Sequence, residues 1–202
     1  MFIVFEGLES SGKSTQLRHL ESFLIESGHD VISVAEPGTT ALGQGVREIV
    51  LHQDIEVDPL AELLLYEAAR AQVTAEKILP AIQSKKIVLC DRYTLSSLAY
   101  QGHGRELDLK KLKTLDAWAT QNLQPDLTIY FDISLEEMRK RQGKSSLDRL
   151  EKEDQTFFER VLAGYLQEVQ EMENIHVLDG FQSEATLFDA VKCLITPLLD
   201  AR

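Results

Sequence analysis

Cysteine is scarce in this sequence: Cys90 and Cys193 are the two thiols in 202 residues. They lie far apart, without metal-ligand spacing, which excludes a disulfide framework or a zinc ribbon. Both fall in apolar segments and read as buried thiols. An excess of basic charge is also missing. The 21 Lys and Arg face 33 Asp and Glu, a formal net charge of −12. Long nucleic acids are held by neutralising backbone phosphates, so no nucleic-acid partner is expected. A small phosphorylated ligand needs only a local positive cluster and stays open. No apolar run approaches the ~20 residues that cross a bilayer, so no membrane partner is expected. The N-terminus, Met1-Phe2-Ile3-Val4-Phe5-Glu6, lacks a basic leader and reads as a strand. Together these absences imply a cytosolic, cytoplasmic protein. Repeats, low-complexity tracts and linkers are absent too, and with 44% hydrophobic residues the chain reads as one globular domain, 1–202.

Short β-branched and aromatic runs alternate with longer amphipathic ones. Strands are predicted at Phe2 to Glu6, Val31 to Ala35, Ile87 to Cys90, Leu127 to Ile133 and Ile175 to Leu178. Continuous apolar strands of this kind are buried on both faces, as parallel strands are. Helical patterns cover Lys13 to Ser27, Leu42 to Leu51, Pro59 to Gln83, Leu109 to Gln121, Leu135 to Arg141, Glu151 to Met172 and Glu184 to Leu199. Asp58-Pro59 is a good N-cap and first-turn pair for the third. The rhythm predicts an α/β domain with a five-stranded parallel sheet flanked by helices, a three-layer sandwich. Ligands of such sheets bind beyond the carboxyl ends of the strands.

Strand one runs into Gly7-Leu8-Glu9-Ser10-Ser11-Gly12-Lys13-Ser14, followed by the helical pattern from Thr15. This is G-x-x-x-x-G-K-[ST] in its strand–loop–helix context, a P-loop. The glycines let amide N–H groups face phosphate oxygens, and the helix N-terminus favours anions. Lys13 reaches the β and γ phosphates of ATP, and the Ser14 hydroxyl is a Mg²⁺ ligand. GTPases, motors and kinases share the loop. The strings N-K-x-D and D-x-x-G of GTPase switches do not occur, which favours a small kinase. Strand three ends in Asp91-Arg92-Tyr93. Two readings stand there. Asp91 holds a magnesium-bound water while Arg92 bridges donor and acceptor phosphates, or the two form a structural pair that closes the strand.

The P-loop is followed by Glu36-Pro37-Gly38, then Leu63-Leu64-Leu65-Tyr66-Glu67-Ala68-Ala69-Arg70-Ala71-Gln72. Next come Asp91-Arg92-Tyr93, Ser96-Ser97-Leu98-Ala99-Tyr100-Gln101-Gly102 and Leu147-Asp148-Arg149-Leu150-Glu151. In this order, over residues 7 to 151, they make the chain resemble the thymidylate kinases (dTMP kinases) of the bacterial type. The resemblance implies a P-loop nucleoside-monophosphate-kinase-like fold with a short basic lid at about 139–150. It also implies phosphorylation of dTMP by ATP with Mg²⁺ on the way to dTTP, and a homodimer built near the third helix. Another small-molecule kinase on the same fold, or a non-catalytic nucleotide-binding switch, are the alternatives.

The same resemblance implies roles residue by residue. Tyr66 stacks on thymine and Arg70, one turn on, donates to its O4; a core tyrosine with a solvated arginine is the alternative. Ser97 bonds the pyrimidine, Tyr100 lies by the deoxyribose and disfavours a 2′-hydroxyl, and Gln101 stands beside them. Arg92 grips the dTMP phosphate, Glu9 faces the sugar hydroxyl and magnesium water, and Glu36 and Pro37 shape the acceptor-phosphate pocket. Lys13, Arg92, Arg149 and Glu9 are the implied catalytic residues. ATP is held by Gly7 to Ser14, Thr15 and Arg141, with Arg141 against adenine and Ser14 and Asp91 toward Mg²⁺. Ser10 stands where another branch carries an arginine, so the basic run Arg139-Lys140-Arg141-Gln142-Gly143-Lys144 is expected to supply that charge. Arg149 is chosen over Arg139 and Arg141, with Gly143, Ser145 and Ser146 giving mobility. The family's R-E-P-G-G-T is Ala35-Glu36-Pro37-Gly38-Thr39-Thr40 here, and Arg47 is either a compensating contact or a surface arginine.

Overall fold

The computed structural model of the chain describes residues 1–52, 55–143 and 147–200. Five strands, β1 (Phe2–Gly7), β2 (Val31–Ala35), β3 (Ile87–Asp91), β4 (Leu127–Asp132) and β5 (Ile175–Asp179), form one sheet in the order β2-β3-β1-β4-β5. All its pairings are parallel. Every residue of central β1 is buried, as a strand covered on both faces must be. Helices α1 (Lys13–Glu26) and α9 (Glu184–Asp200) cover one face, with Leu20, Leu24, Val191 and Ile195 packed on Ile3, Phe5 and Ile129. The other face lies under α3 (Pro59–Val73), α4 (Leu79–Gln83), α5 (Thr94–Ser97) and α8 (Gln155–Glu171). Three layers result, as expected.

Local chemistry sets the helix ends. Asp58 accepts from the Leu60 and Ala61 N–H groups and Pro59 opens α3, as its sequence predicts. The 25-residue pattern from Pro59 is not one uniform helix: Thr74–Ile78 winds more widely between α3 and α4. Pro80 lacks the N–H that a regular turn uses, and a wider turn absorbs the loss. Likewise α2 (Ala41–Arg47) passes into a wide turn at Glu48–His52. Helix α8 starts at Gln155 rather than Glu151, because Asp154 caps it by accepting from Phe157 N–H at 2.7 Å. Helices α6 (Leu109–Ala119) and α7 (Leu135–Gln142) complete the set.

Two sequence expectations need correction. Cys90 is buried, but Cys193 is exposed; on α9 it points outward while Val191 and Ile195 point in. The stretch Thr94–Gly104 was not foreseen as helical. It forms α5 and a wide-wound continuation, Leu98–Gly104, because its glycines allow close packing rather than breaking it. A Cβ on Gly104 would meet Phe157 and Val161 of α8 at 2.8 Å. The expected lid residues Lys144, Ser145 and Ser146 lie outside the described residues.

The parallel register aligns the strand ends. Asp91 is opposite Phe5 and Ala35, and Gly7 is opposite Phe131, so the loops after β1, β2 and β3 meet above one edge. The α8 face against residues 98–104 has little slack: a Cβ on Gly164 would lie 2.6 Å from the His103 side chain. Gly164→Ala is therefore expected to destabilise the fold by about 1–3 kcal/mol, measured by urea unfolding; unchanged stability would show that this contact yields freely.

Candidate active site

The loop after β1 turns through left-handed conformations at Ser10 (φ 56°) and Gly12 (φ 100°) and delivers Gly12 to the start of α1. Gly7 cannot be replaced without a clash, since a Cβ there would sit 2.6 Å from the Phe131 carbonyl oxygen. The buried Lys13 ammonium donates to the carbonyls of Gly7 (2.9 Å) and Leu8 (2.7 Å). Desolvation, helped by the nearby Arg92 charge, lowers its pKa to about 8. The Leu8 side chain points into the core, so that residue offers the site its backbone alone. Ser14 Oγ donates to Asp91 Oδ2 at 2.6 Å. The cleft along this loop is walled by Glu9, Lys13, Ser14, Arg47, Asp91 and Arg92.

Arg92 carries a left-handed backbone, φ 70°, which costs a non-glycine residue roughly 1 kcal/mol. Its guanidinium is held by Glu9 Oε1 (2.8 Å), Ser96 Oγ (3.1 Å) and Tyr165 OH (3.0 Å), over the Tyr100 ring at 5.2 Å. The Tyr100 hydroxyl in turn donates to the Glu9 carboxylate, 2.7 and 2.8 Å from its oxygens. Beneath this lies Glu6, fully buried, which accepts from the Tyr93 and Ser96 N–H groups and from Ser96 Oγ. Helix α5 has no side-chain cap of its own, and Glu6 of β1 takes that place. Burial pushes the Glu6 carboxyl above its usual range.

A cavity opens beyond Arg92. Glu9, Glu36, Pro37, Tyr66, Arg70, Ser97, Tyr100 and Gln101, all foreseen on the acceptor side, line it together with Arg92 and Arg47. Arg47 donates to the Pro37 carbonyl at 3.0 Å, so it does support the Glu36 loop. Thr39 has a second effect there: its hydroxyl accepts from Ala35 N–H (2.7 Å) and lies 3.2 Å from the Ala35 carbonyl. The loop is thus closed without the family's arginine and second glycine. Arg70 is neither solvated nor a lone core cation, for it is 2% exposed and bound to Glu36, Glu67, Asp116, Ser97 and the Tyr93 carbonyl. Gln101 donates to Glu62 at 3.0 Å. Burial raises Glu36 to about 7 despite Arg70, and its Oε1 has no hydrogen-bond partner among the described residues.

The basic segment divides. Arg141 is tied to Glu137, to the Gly180 carbonyl (2.8 Å) and to the Ser10 carbonyl (3.4 Å), beside the P-loop and the turn after β5. Arg139 reaches Gln155. Arg149, the chosen lid arginine, stands apart from the P-loop, bound to the Val50 carbonyl and the buried carboxylate of Glu62. Glu62 also binds Arg105, so one buried carboxylate is shared by two arginines. Thr15 accepts from Arg18. Sequence reasoning missed Glu6, Glu62, Asp116 and Tyr165 as parts of the site. A carboxylate inside an otherwise apolar strand was a usable signal for Glu6; the others depend on contacts between distant elements.

A parallel sheet with a P-loop after its first strand, and an acceptor cavity across Arg92 from that loop, define a nucleotide phosphotransferase of the P-loop class. A family model, "Thymidylate kinase", matches residues 5–191, and the chain belongs to the thymidylate kinase family. It is 45% identical to a thymidylate kinase of Thermoanaerobacter sp. (strain X514) over 182 residues, 90% of each chain. With one from Thermosipho africanus (strain TCF52B) it shares 40% over 195 residues, covering 96% of this chain and 97% of that protein. The crystal structure of thymidylate kinase from Ehrlichia chaffeensis superposes with a TM-score of 0.78 at 30% identity, covering 96% of this chain and 98% of that one.

Because the folded Glu36 pKa of about 7 exceeds the ordinary value of 4.5, its contribution to stability is full below 4.5 and is lost as pH rises through 7. Glu36→Gln is therefore expected to gain stability relative to the parent between pH 5 and pH 8 in urea unfolding. A relative loss over that range would mean that pairing with Arg70 outweighs desolvation.

Proposed function

We propose that the chain transfers the γ-phosphoryl of ATP to the phosphate of dTMP, giving ADP and dTDP. One observation carries this reading: the P-loop cleft and the acceptor cavity share a wall containing Glu9, Arg47 and Arg92. Charge then orients the acceptor. Arg47 has no carboxylate partner among the described residues and Arg92 has one ion-pair partner, Glu9. Arg70 is instead paired with three carboxyl groups, those of Glu67 and Asp116 behind it and that of Glu36 at the boundary of the two pockets. A nucleoside monophosphate therefore puts its phosphate toward Arg92 and its base toward Arg70.

In that pose an acceptor phosphate oxygen attacks the γ-phosphorus and the bridging oxygen leaves with ADP. No protein nucleophile is required, since the acceptor is already anionic. Lys13 stabilises charge on the donor side and Arg92 holds the acceptor in line. Tyr66 stacks on the base, Arg70 and Ser97 bond its edge, and Glu9, held by Tyr100 and Arg92, faces the sugar. Gln101 supports the base end through Glu62. Arg141, between the Ser10 and Gly180 carbonyls, borders adenine. Arg149 serves the transfer if lid closure exchanges its Glu62 contact for the phosphates.

Ser14 and Asp91 fit Mg²⁺: their hard oxygens stand 2.6 Å apart, and Mg²⁺ keeps water and phosphate ligands rather than requiring an all-protein cage. When bound it neutralises charge on the β and γ phosphates. We also read the chain as a cytoplasmic homodimer. Leu60 and Leu64, one turn apart on α3, are exposed, an apolar pair that suits burial against a second copy. No helix of the described residues is long and apolar enough to cross a membrane.

A coupled ADP-release assay across dTMP, dUMP, dCMP, AMP and thymidine should show preference for dTMP; preference for another acceptor would overturn the assignment. Lys13→Ala and Arg92→Ala are each expected to lose on the order of a hundredfold or more in kcat with the fold intact. Arg70→Ala should raise KM for dTMP about tenfold or more and leave KM for ATP within about twofold; equal changes in both would make Arg70 structural.

A further inference from the structure

The base end of the acceptor cavity holds a feature that the transfer itself does not use. Arg70 has five N–H donors. Its Nε hydrogen goes to Glu36 Oε2 at 2.7 Å. The two Nη1 hydrogens are spread over Glu67 Oε1 (2.8 Å), Ser97 Oγ (2.8 Å) and Asp116 Oδ1 (2.9 Å). One Nη2 hydrogen goes to the Tyr93 carbonyl at 2.9 Å, and the face of the group lies 5.5 Å from the Tyr93 ring centre. Among the described residues this leaves one Nη2 hydrogen, on a guanidinium that forms part of the cavity wall. Glu67 and Asp116 do not line the cavity themselves. Glu67 precedes Arg70 by one turn of α3, while Asp116 reaches it from α6.

We propose that Glu67 and Asp116 are positioning residues for acceptor selection. They grip Arg70 from two helices, so that it presents a single fixed N–H to the base and selects a keto over an amino pyrimidine. The proposal rests on reading the cavity as the dTMP site. A carbonyl oxygen accepts that hydrogen, whereas the exocyclic amine of cytosine puts a donor against a donor. A buried donor left facing a donor loses its hydrogen bond as well as its water, and selection of this kind reaches large ratios. The clamp also matters for charge. An arginine released from its carboxylates would be drawn toward the phosphate end, where Arg47 and Arg92 work. Holding it among three carboxylates keeps it a donor for a neutral base edge.

The test uses the full chain. Steady-state kinetics with dTMP, dCMP and ATP are measured for the parent, Asp116→Ala, Asp116→Asn and the double variant Glu67→Gln with Asp116→Asn, after circular dichroism and melting confirm folding. Asp116→Ala is expected to raise KM for dTMP about tenfold and to reduce the dTMP-to-dCMP ratio of kcat/KM by a similar factor. KM for ATP should stay within about twofold. Asp116→Asn, which keeps an oxygen acceptor at the same place, should recover most of the loss. If Asp116→Ala does not fold, the isosteric double variant is read in its place, with the same split expected at about threefold. An unchanged dTMP-to-dCMP ratio in folded variants, or equal rises in both KM values, overturns the clamp while the dTMP assignment stands. A parent enzyme with no preference for dTMP over dCMP overturns the reading of the cavity and the clamp with it.

Discussion

Glu6 occupies the carboxyl end of the central strand with no exposed surface, and the active centre is assembled around it. A carboxylate in that position is costly unless donors surround it. The donors come from Tyr93 and Ser96 at the start of α5 and from Ser96 Oγ. Meeting that demand brings α5 directly against β1. It leaves Arg92 in the tight left-handed turn between β3 and α5, and it places Ser96 and Tyr165 where they fix the guanidinium. Gly7, the next residue of β1, begins the P-loop. One buried acid thus sets the distance between the donor loop and the acceptor arginine, which is the separation that phosphoryl transfer requires to be right.

Arg70 and Arg92 of the acceptor cavity differ through their surroundings. Arg92 is held mostly by hydroxyls and one carboxylate, so part of its charge remains for a phosphate. Arg70 is outnumbered by acids and keeps geometry rather than charge. On the proposed reading, the same side chain serves as an anion site at one end and as a neutral hydrogen-bond reader at the other. This division also accounts for how an acidic chain, −12 overall, handles two phosphorylated substrates: its positive potential is local to the boundary between the pockets.

Much of this was legible in the sequence. The five strands carry near-continuous apolar runs, and each was found to within a residue or two. The P-loop spacing located the strand–loop–helix turn after β1, and Tyr66, Arg70, Arg92, Ser97 and Tyr100, picked out through the resemblance, line one cavity. The failures have physical causes. Thr94–Gly104 is helical because Gly102 and Gly104 permit contact with α6 and α8, a tertiary gain that outweighs weak local propensity. The hold of Glu62 on Arg149 joins residues far apart in the chain, and no local pattern announces it. Thr39 looked like the loss of a glycine, yet its hydroxyl performs the closure of the loop.

The buried ammonium of Lys13 has a thermodynamic consequence beyond binding. Burial lowers its pKa to about 8, so the neutral amine is closer in free energy there than on an exposed lysine. An anion held at this loop favours the charged form, so its capture at mildly alkaline pH is coupled to proton uptake. The heat of binding then includes the ionisation heat of whichever buffer supplies that proton. On the proposed reading, nucleotide affinity then depends on pH through a residue that gives no proton to the substrate.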